Sequence, residues 1–218
     1  MNTLGDLIEK AFDDCKDSPS NTTFSESITN ALETYFEMGS GSTVDSGTVP
    51  SGYFVGEGNT TSIKGDTESC KTIIFNTCEL LEESANNGNY ILSTAITNGL
   101  KLLCGNAEIK CSVNGEVTQG SSTVTMSGTS SGSFTIVTTT LLNYMITIFN
   151  DFNVKENEDY EEYLARMKVD TLYTSLNQAL SYRLAEKIRT CLSGGVLNTN
   201  GELTLLGDVG IGTIIFGE

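Results

Sequence analysis

A six-residue phrase occurs twice in this chain, as Ser27-Ile-Thr-Asn-Ala-Leu32 and as Ala95-Ile-Thr-Asn-Gly-Leu100. Each copy sits in a helical pattern, meets glycine within a few residues and runs into a stretch rich in Gly, Ser and Thr. A third helical pattern, Leu184 to Leu192, runs into Ser193-Gly194-Gly195 and another short glycine-punctuated apolar segment. The recurrence predicts a degenerate unit, a helix followed by a β-like hairpin, used three times. A repeated module of this kind points to a structural role more readily than to a catalytic pocket.

The helical stretches are read from apolar spacing. Leu4, Leu7, Ile8, Ala11 and Phe12 follow the one-face pattern of an amphipathic helix, capped by Asn2 or Thr3 and ended by Ser18-Pro19-Ser20. A second helix is expected from Phe24 to Met38 with a stop at Gly39, and a third from Asp66 or Thr67 along Ile73, Ile74, Thr77, Leu80 and Leu81. Asn86 to Asn89 interrupt it, and a fourth helix runs from Tyr90 to Cys104. Leu141 to Phe152 fits helix or strand, and Glu158 to Leu192 reads as one continuous helix.

Between these lie the glycine-rich segments. Residues 39–65 read as loops with one or two short strands, one entered at Val49 to Val55 after a Pro50-Ser51 turn. Residues 107–140 read as strands, with Asn114-Gly115 as the strongest hairpin signal and Ser127 to Gly132 as a second turn. A last hairpin is expected around Asn200-Gly201, with Val209 to Phe216 as a closing strand. The fold class is α+β, amphipathic helices packed with short antiparallel Gly/Ser/Thr-rich strands. The expected organisation is a helical region at 1–106 with a Gly-rich insertion at 39–65, a β-rich region at 107–155, and a long helix with a C-terminal hairpin at 156–218. One integrated domain is the alternative.

Composition removes several function classes. The net charge is −16, with 28 acidic and 12 basic residues, so the surface repels phosphate backbones and anionic membranes. No nucleic-acid binding and no membrane insertion are expected, because the longest apolar patch, Leu141 to Phe149, is too short and too polar to span a bilayer. The first residues lack the basic and apolar regions of a secretory signal. The six cysteines, at 15, 70, 78, 104, 111 and 191, are accordingly expected as buried thiols, with Cys104–Cys111 the one local pairing left open.

Catalytic chemistry finds little to work with. Histidine is absent, which removes the usual general base and most catalytic zinc sites. Asp13-Asp14, Glu82-Glu83 and the acids from Glu156 to Glu162 could form a carboxylate pair, but the last group suits a helix start. Gly56 to Thr61 and Gly207 to Gly212 lack the endings of nucleotide-binding loops. Asp45, Asp66 and Asp208 are not spaced as a calcium loop. No catalytic, cofactor or metal site is expected, and the chain reads as a non-enzyme.

Three segments resemble small virion structural proteins of tailed bacteriophages, the tail, neck or baseplate components. They are Met1-Asn-Thr-Leu-Gly-Asp-Leu-Ile-Glu-Lys10, Gly47-Thr-Val-Pro-Ser-Gly-Tyr-Phe-Val-Gly-Glu-Gly58 and Leu203-Thr-Leu-Leu-Gly-Asp-Val-Gly-Ile-Gly-Thr-Ile-Ile-Phe-Gly-Glu218. The resemblance implies a subunit made in the host cytoplasm and built into the virion, with itself and other virion structural proteins as partners. Candidate assembly contacts are Tyr53, Phe54, Val55, Phe134, Ile136, Ile214, Ile215 and Phe216, the apolar residues of the β-like segments. The alternative expectation is an adhesion or ligand-binding module that uses the loops at 39–65 and 119–132.

Overall fold

A computed structural model describes residues 3–50, 52–83, 87–204 and 207–217, apart from the side chains of residues 82 and 83. Its element order repeats. The helices α1 (Leu4–Asp17) and α2 (Asn21–Glu37) lead into the strands β1 (Ser40–Val49) and β2 (Gly52–Lys64). The same order follows in α3 (Thr67–Glu83), α4 (Gly88–Gly105), β3 (Glu108–Gln119) and β4 (Ser122–Thr135). A third pass uses α5 (Thr139–Asp151), a short extra helix α6 (Tyr160–Arg166), α7 (Leu176–Ser193), β5 (Val196–Gly201) and β6 (Asp208–Ile215). The expected α+β class holds, and each unit is a helix pair followed by a hairpin.

The three hairpins close into one six-stranded antiparallel barrel, in which β6 pairs back onto β1. Every odd strand leaves a helix and every even strand returns, so the hairpin turns gather at one end of the barrel and the helices at the other. The helices also form a ring: α1 meets α2, α2 meets α3, α3 meets α4, α4 meets α5, α5 meets α7, and α7 meets α1. The second helix of each pair rests on the second strand of its own hairpin. A closed sheet leaves no open edge, and a ring of amphipathic helices buries its apolar stripes against the barrel end.

Local signals explain where the helices begin. Thr3 caps α1 through Asp6 N at 3.2 Å, and Asp6 returns the bond to Thr3 N. Ser20 caps α2, and Ser175 caps α7. The echoed phrase falls on α2 and α4, in each case the helix that precedes an odd strand. At matching positions upstream of β1, β3 and β5 stand Ile28, Ile96 and Leu184; then Leu32, Leu100 and Ile188; then Phe36, Cys104 and Leu192. All nine are buried. Ser25, Ser93 and Ser181 form a fourth matching set, also buried.

One cluster of buried side chains runs from Leu4 to Ile214 and draws on all three sequence regions. Each large side chain in it contributes about 1.5–3 kcal/mol relative to exposure. Phe36, Phe134 and Phe216 meet at the helical mouth of the barrel, with ring centroids 5.9–6.1 Å apart. Tyr35 donates its hydroxyl to Gly217 O at 2.7 Å and ties down the C-terminal residues. No described helix is long and apolar enough to cross a membrane.

Several expectations need correction. Residues 39–65 are not mainly loop but two long paired strands, and 119–132 lies mostly within β4. The loop-based adhesion reading loses its loops. Asn114-Gly115 is not a turn; it lies inside β3, opposite Glu57 and Gly56, and the hairpin turns instead at Gly120, whose φ is +60°. Gly115 is required because a Cβ there would run into the Gly56 backbone. Ser127 to Gly132 is strand for the same reason, since small residues let neighbouring chains approach. Leu141 to Phe152 resolves as helix.

The continuous helix from Glu158 to Leu192 is broken. Lys168 and Asp170 take left-handed φ values of 61° and 66°, and Asp170 N donates to Tyr173 O at 2.7 Å. Its apolar periodicity survives the break because Tyr163, Met167 and Val169 form a small cluster of their own. The last hairpin pairs Gly201 with Asp208, so Asn200-Gly201 ends a strand and is not the turn. Leu205 and Leu206 of that expected hairpin, Asn2 as a cap, Ser51 of the first turn and Asn86 of the helix interruption lie outside the described residues.

Candidate functional site

Alternation along the strands gives the barrel two faces. On the outside, the pairing register sets Val44 beside Ile211, Val209 beside Ser46, Ser46 beside Val55, and Thr48 beside Tyr53. Val44 is 64% exposed, Ile211 59%, Tyr53 55%, Val55 53% and Val209 51%. These side chains make an apolar band across β6, β1 and β2, interrupted by the small hydroxyl residues Ser46 and Thr48. A shallow depression of about 660 Å³ lies on its β3 side, bordered by Glu57, Asn114 and Glu116.

The expected contact residues divide cleanly. Tyr53, Val55 and Ile215 are exposed. Phe54, Phe134, Ile136 and Ile214 point inward and serve the chain's own core, and Phe216 is half-buried against Tyr35 and Phe36. Phe54, Phe134, Ile136 and Ile214 thus lie beneath the surface of this chain, and Phe216 lies partly at it. Val44, Val209 and Ile211 join the outer band although the sequence reading passed over them. The signal was their alternation with glycine or aspartate.

Inside the barrel, two apolar clusters are separated by a polar layer. The larger cluster fills the helical mouth, and Val49, Phe54, Val113 and Val117 fill the hairpin end. Between them lie Thr43, Asp45, Ser130, Thr199 and Asp208, all buried, with Thr204 beside them. Thr43 donates to Asp45 Oδ2 at 2.5 Å, and Thr199 to Asp45 Oδ1 at 3.4 Å. Leu203 N donates to Asp208 Oδ1 at 2.8 Å. Each aspartate is flanked by glycine on both neighbouring strands, Asp45 by Gly56 and Gly210, Asp208 by Gly201 and Gly47. A Cβ on Gly201 would fall on the Asp208 carboxylate, so glycine makes the room these side chains need.

Other acids have local duties. Asp159 caps α6 through Glu162 N at 2.9 Å, and Glu162 closes the reciprocal bond. Arg166 holds Glu158 in a two-pronged pair at 2.5 and 2.7 Å, which with the Lys155 amide lowers its carboxyl to about 2. Asp66 accepts from Ser69 N and Asn106 Nδ2, Asp13 from Lys16 and Asn177, and both are held below the usual carboxylate range by those bonds. The side chains of Glu82 and Glu83 lie outside the described residues. Gly56 to Thr61 is part of β2, and Asp208 to Gly212 part of β6, so neither is a loop that could cradle a phosphate.

The six cysteines are free, and Cys70, Cys78, Cys104 and Cys111 are buried. Burial pushes the Cys70 and Cys78 thiols up to about 11 and Cys104 well above its ordinary value. Such thiols are poor nucleophiles. Among the described residues no three Cys, Asp or Glu side chains gather as metal ligands. No known protein family matches this chain, and neither does any curated protein or solved structure.

Proposed function

We propose that this chain is a non-enzymatic structural subunit of a large protein assembly, joined to its neighbours through the outer face of the barrel. The observation that carries the reading is the band of Val44, Tyr53, Val55, Val209 and Ile211. These five are each more than half exposed on a chain of net charge −16. A concentration of exposed apolar side chains of this kind marks contact sites. Rigidity supports the same reading, because a closed sheet capped by a closed helix ring presents that face in one geometry. Placement in a bacteriophage particle, as a tail, neck or baseplate component, rests on the resemblance of the three sequence segments.

Light scattering on the purified chain, at low and moderate salt, tests the proposal. A discrete oligomer that dissociates on Val44→Glu or Ile211→Glu is the expected result. A mass of 23.4 kDa at every concentration, unchanged by either substitution, counts against self-assembly through this face.

A further inference from the structure

We propose that the interior of the barrel, near its hairpin end, binds a small hard cation of the sodium or potassium kind against Asp208. One rung of the barrel carries the argument. Ser130 pairs with Gly201, Gly201 with Asp208, and the register places Gly47 next on β1. All four face inward. With no side chain on Gly201, the Asp208 carboxylate lies over it, on the flank where Ser130 is the next residue of the rung. Thr204 drops onto Gly47 from the other side, its Oγ1 lying 2.8 Å from where a Cβ would stand.

Three buried oxygens belong to this rung: Asp208 Oδ2, Ser130 Oγ and Thr204 Oγ1. None has a hydrogen-bond partner, and their residues are only 0%, 4% and 9% exposed. Ser130 sits opposite Cys111, whose thiol offers it only a weak sulfur contact and no oxygen or nitrogen partner. Anchoring the connection between β5 and β6 explains Asp208 Oδ1, through Leu203 N, but leaves Oδ2 and the charge unaccounted for. No Lys or Arg occupies an inward position on any of the six strands, and Asp45 adds a second carboxylate on the neighbouring rung. Buried charge calls for an opposite charge or full hydrogen bonding.

A hard cation answers all of these at once, since it prefers oxygen ligands. Dedicated calcium sites gather several carboxylates. Here a single free carboxylate oxygen with two hydroxyls matches a singly charged ion.

The test is thermal melting of the full chain, stripped of divalent ions on a chelating resin. Sodium, potassium and choline chloride are compared at one ionic strength, about 0.15 M. Matching the ionic strength removes general screening of the acidic surface. The expected result is a melting temperature about 5–10 °C higher in sodium or potassium than in choline, the shift produced by a ligand at ~100 times its Kd. Asp208→Asn keeps the acceptor for Leu203 N, changes the net charge by one, and should abolish the difference. Ser130→Ala should reduce it. Equal melting in the three salts, or a difference that survives Asp208→Asn, overturns the proposal. Should Asp208→Asn fail to fold, sodium NMR decides on the native chain. Line broadening reversed by potassium supports the site, and its absence overturns it.

Discussion

Gly99 is one of the two positions at which the copies of the echoed phrase differ, and it sets up a measurable conflict. Position 31 in the first copy is Ala, so Gly99→Ala makes the phrases match from Ile to Leu. On helix propensity alone the change should stabilise by about 1 kcal/mol. Packing opposes it. A Cβ on Gly99 would lie 2.7 Å from both Cγ1 and Cδ1 of Ile74 and 3.2 Å from Cys70 Sγ. Carbon atoms pack at about 3.5–4.0 Å, so α3 and α4 must part by the better part of an ångström.

Ile74 is fully buried, and Cγ1 is not a free end that can swing aside. Overpacking of this kind costs about 1–3 kcal/mol, so the net effect should be a loss of up to about 2 kcal/mol despite the propensity gain. Urea unfolding followed by circular dichroism gives the number. Ile74→Val removes Cδ1 and should cost about 1 kcal/mol alone. Combined with Gly99→Ala it should cost less than the sum, because the shortened side chain relieves the part of the clash made by Cδ1. Gly105→Ala is the control: nothing lies within 4 Å of its Cβ position, and a gain of up to ~1 kcal/mol is expected. A net gain in stability in Gly99→Ala, or strict additivity with Ile74→Val, would refute the reasoning.

The three matching serines should respond differently to alanine. Ser93 donates to Asn89 O at 2.6 Å and Ser25 to Thr22 O at 2.9 Å, so each substitution should cost about 1 kcal/mol, whereas Ser181 Oγ has no partner and Ser181→Ala should be neutral or stabilising in the same unfolding assay. Glu158, with its carboxyl held at about 2 by Arg166, contributes stability that is complete above its unfolded value near 4.5 and is lost as pH falls toward 2. Carboxyl NMR titration should show that depressed midpoint and its return to the ordinary range in Arg166→Met. A disulfide reagent at mildly alkaline pH should modify Cys15 and Cys191, both half-buried, well before Cys70, Cys78, Cys104 and Cys111, with all six reacting after denaturation.

The helices were legible because their stripes use large aliphatic residues at helical spacing: Leu4, Ile8 and Ala11 in α1, Ile96, Leu100 and Leu103 in α4. The strands were far less so. In a narrow six-stranded barrel the inward positions take Gly56, Gly58, Gly210 and Gly212, while the outward ones take Ser, Thr and Val. Apolar alternation is thereby weakened or inverted, and the segments read as loops. Asn114-Gly115 misled for a related reason: the same glycine that suits a tight turn also suits the closest approach of two strands. Tyr53, Val55 and Ile215 could be named from hydrophobicity, but their separation from Phe54 and Ile214 needed the register. Asp45 and Asp208 were visible only as isolated acids, since the rungs that bury them join residues more than a hundred positions apart.

Closure of the barrel by β1 and β6 has a consequence for biosynthesis. β1, at residues 40–49, is made before β6 and finds one of its two partners only when residues 208–215 appear. Until then β1 offers an unpaired flank, and β4 offers another until β5 arrives. A stalled or truncated chain therefore carries two complementary sticky strands at the ends of an open sheet, able to pair with those of another copy. Residues 208–215 decide whether the chain closes on itself or recruits a neighbour.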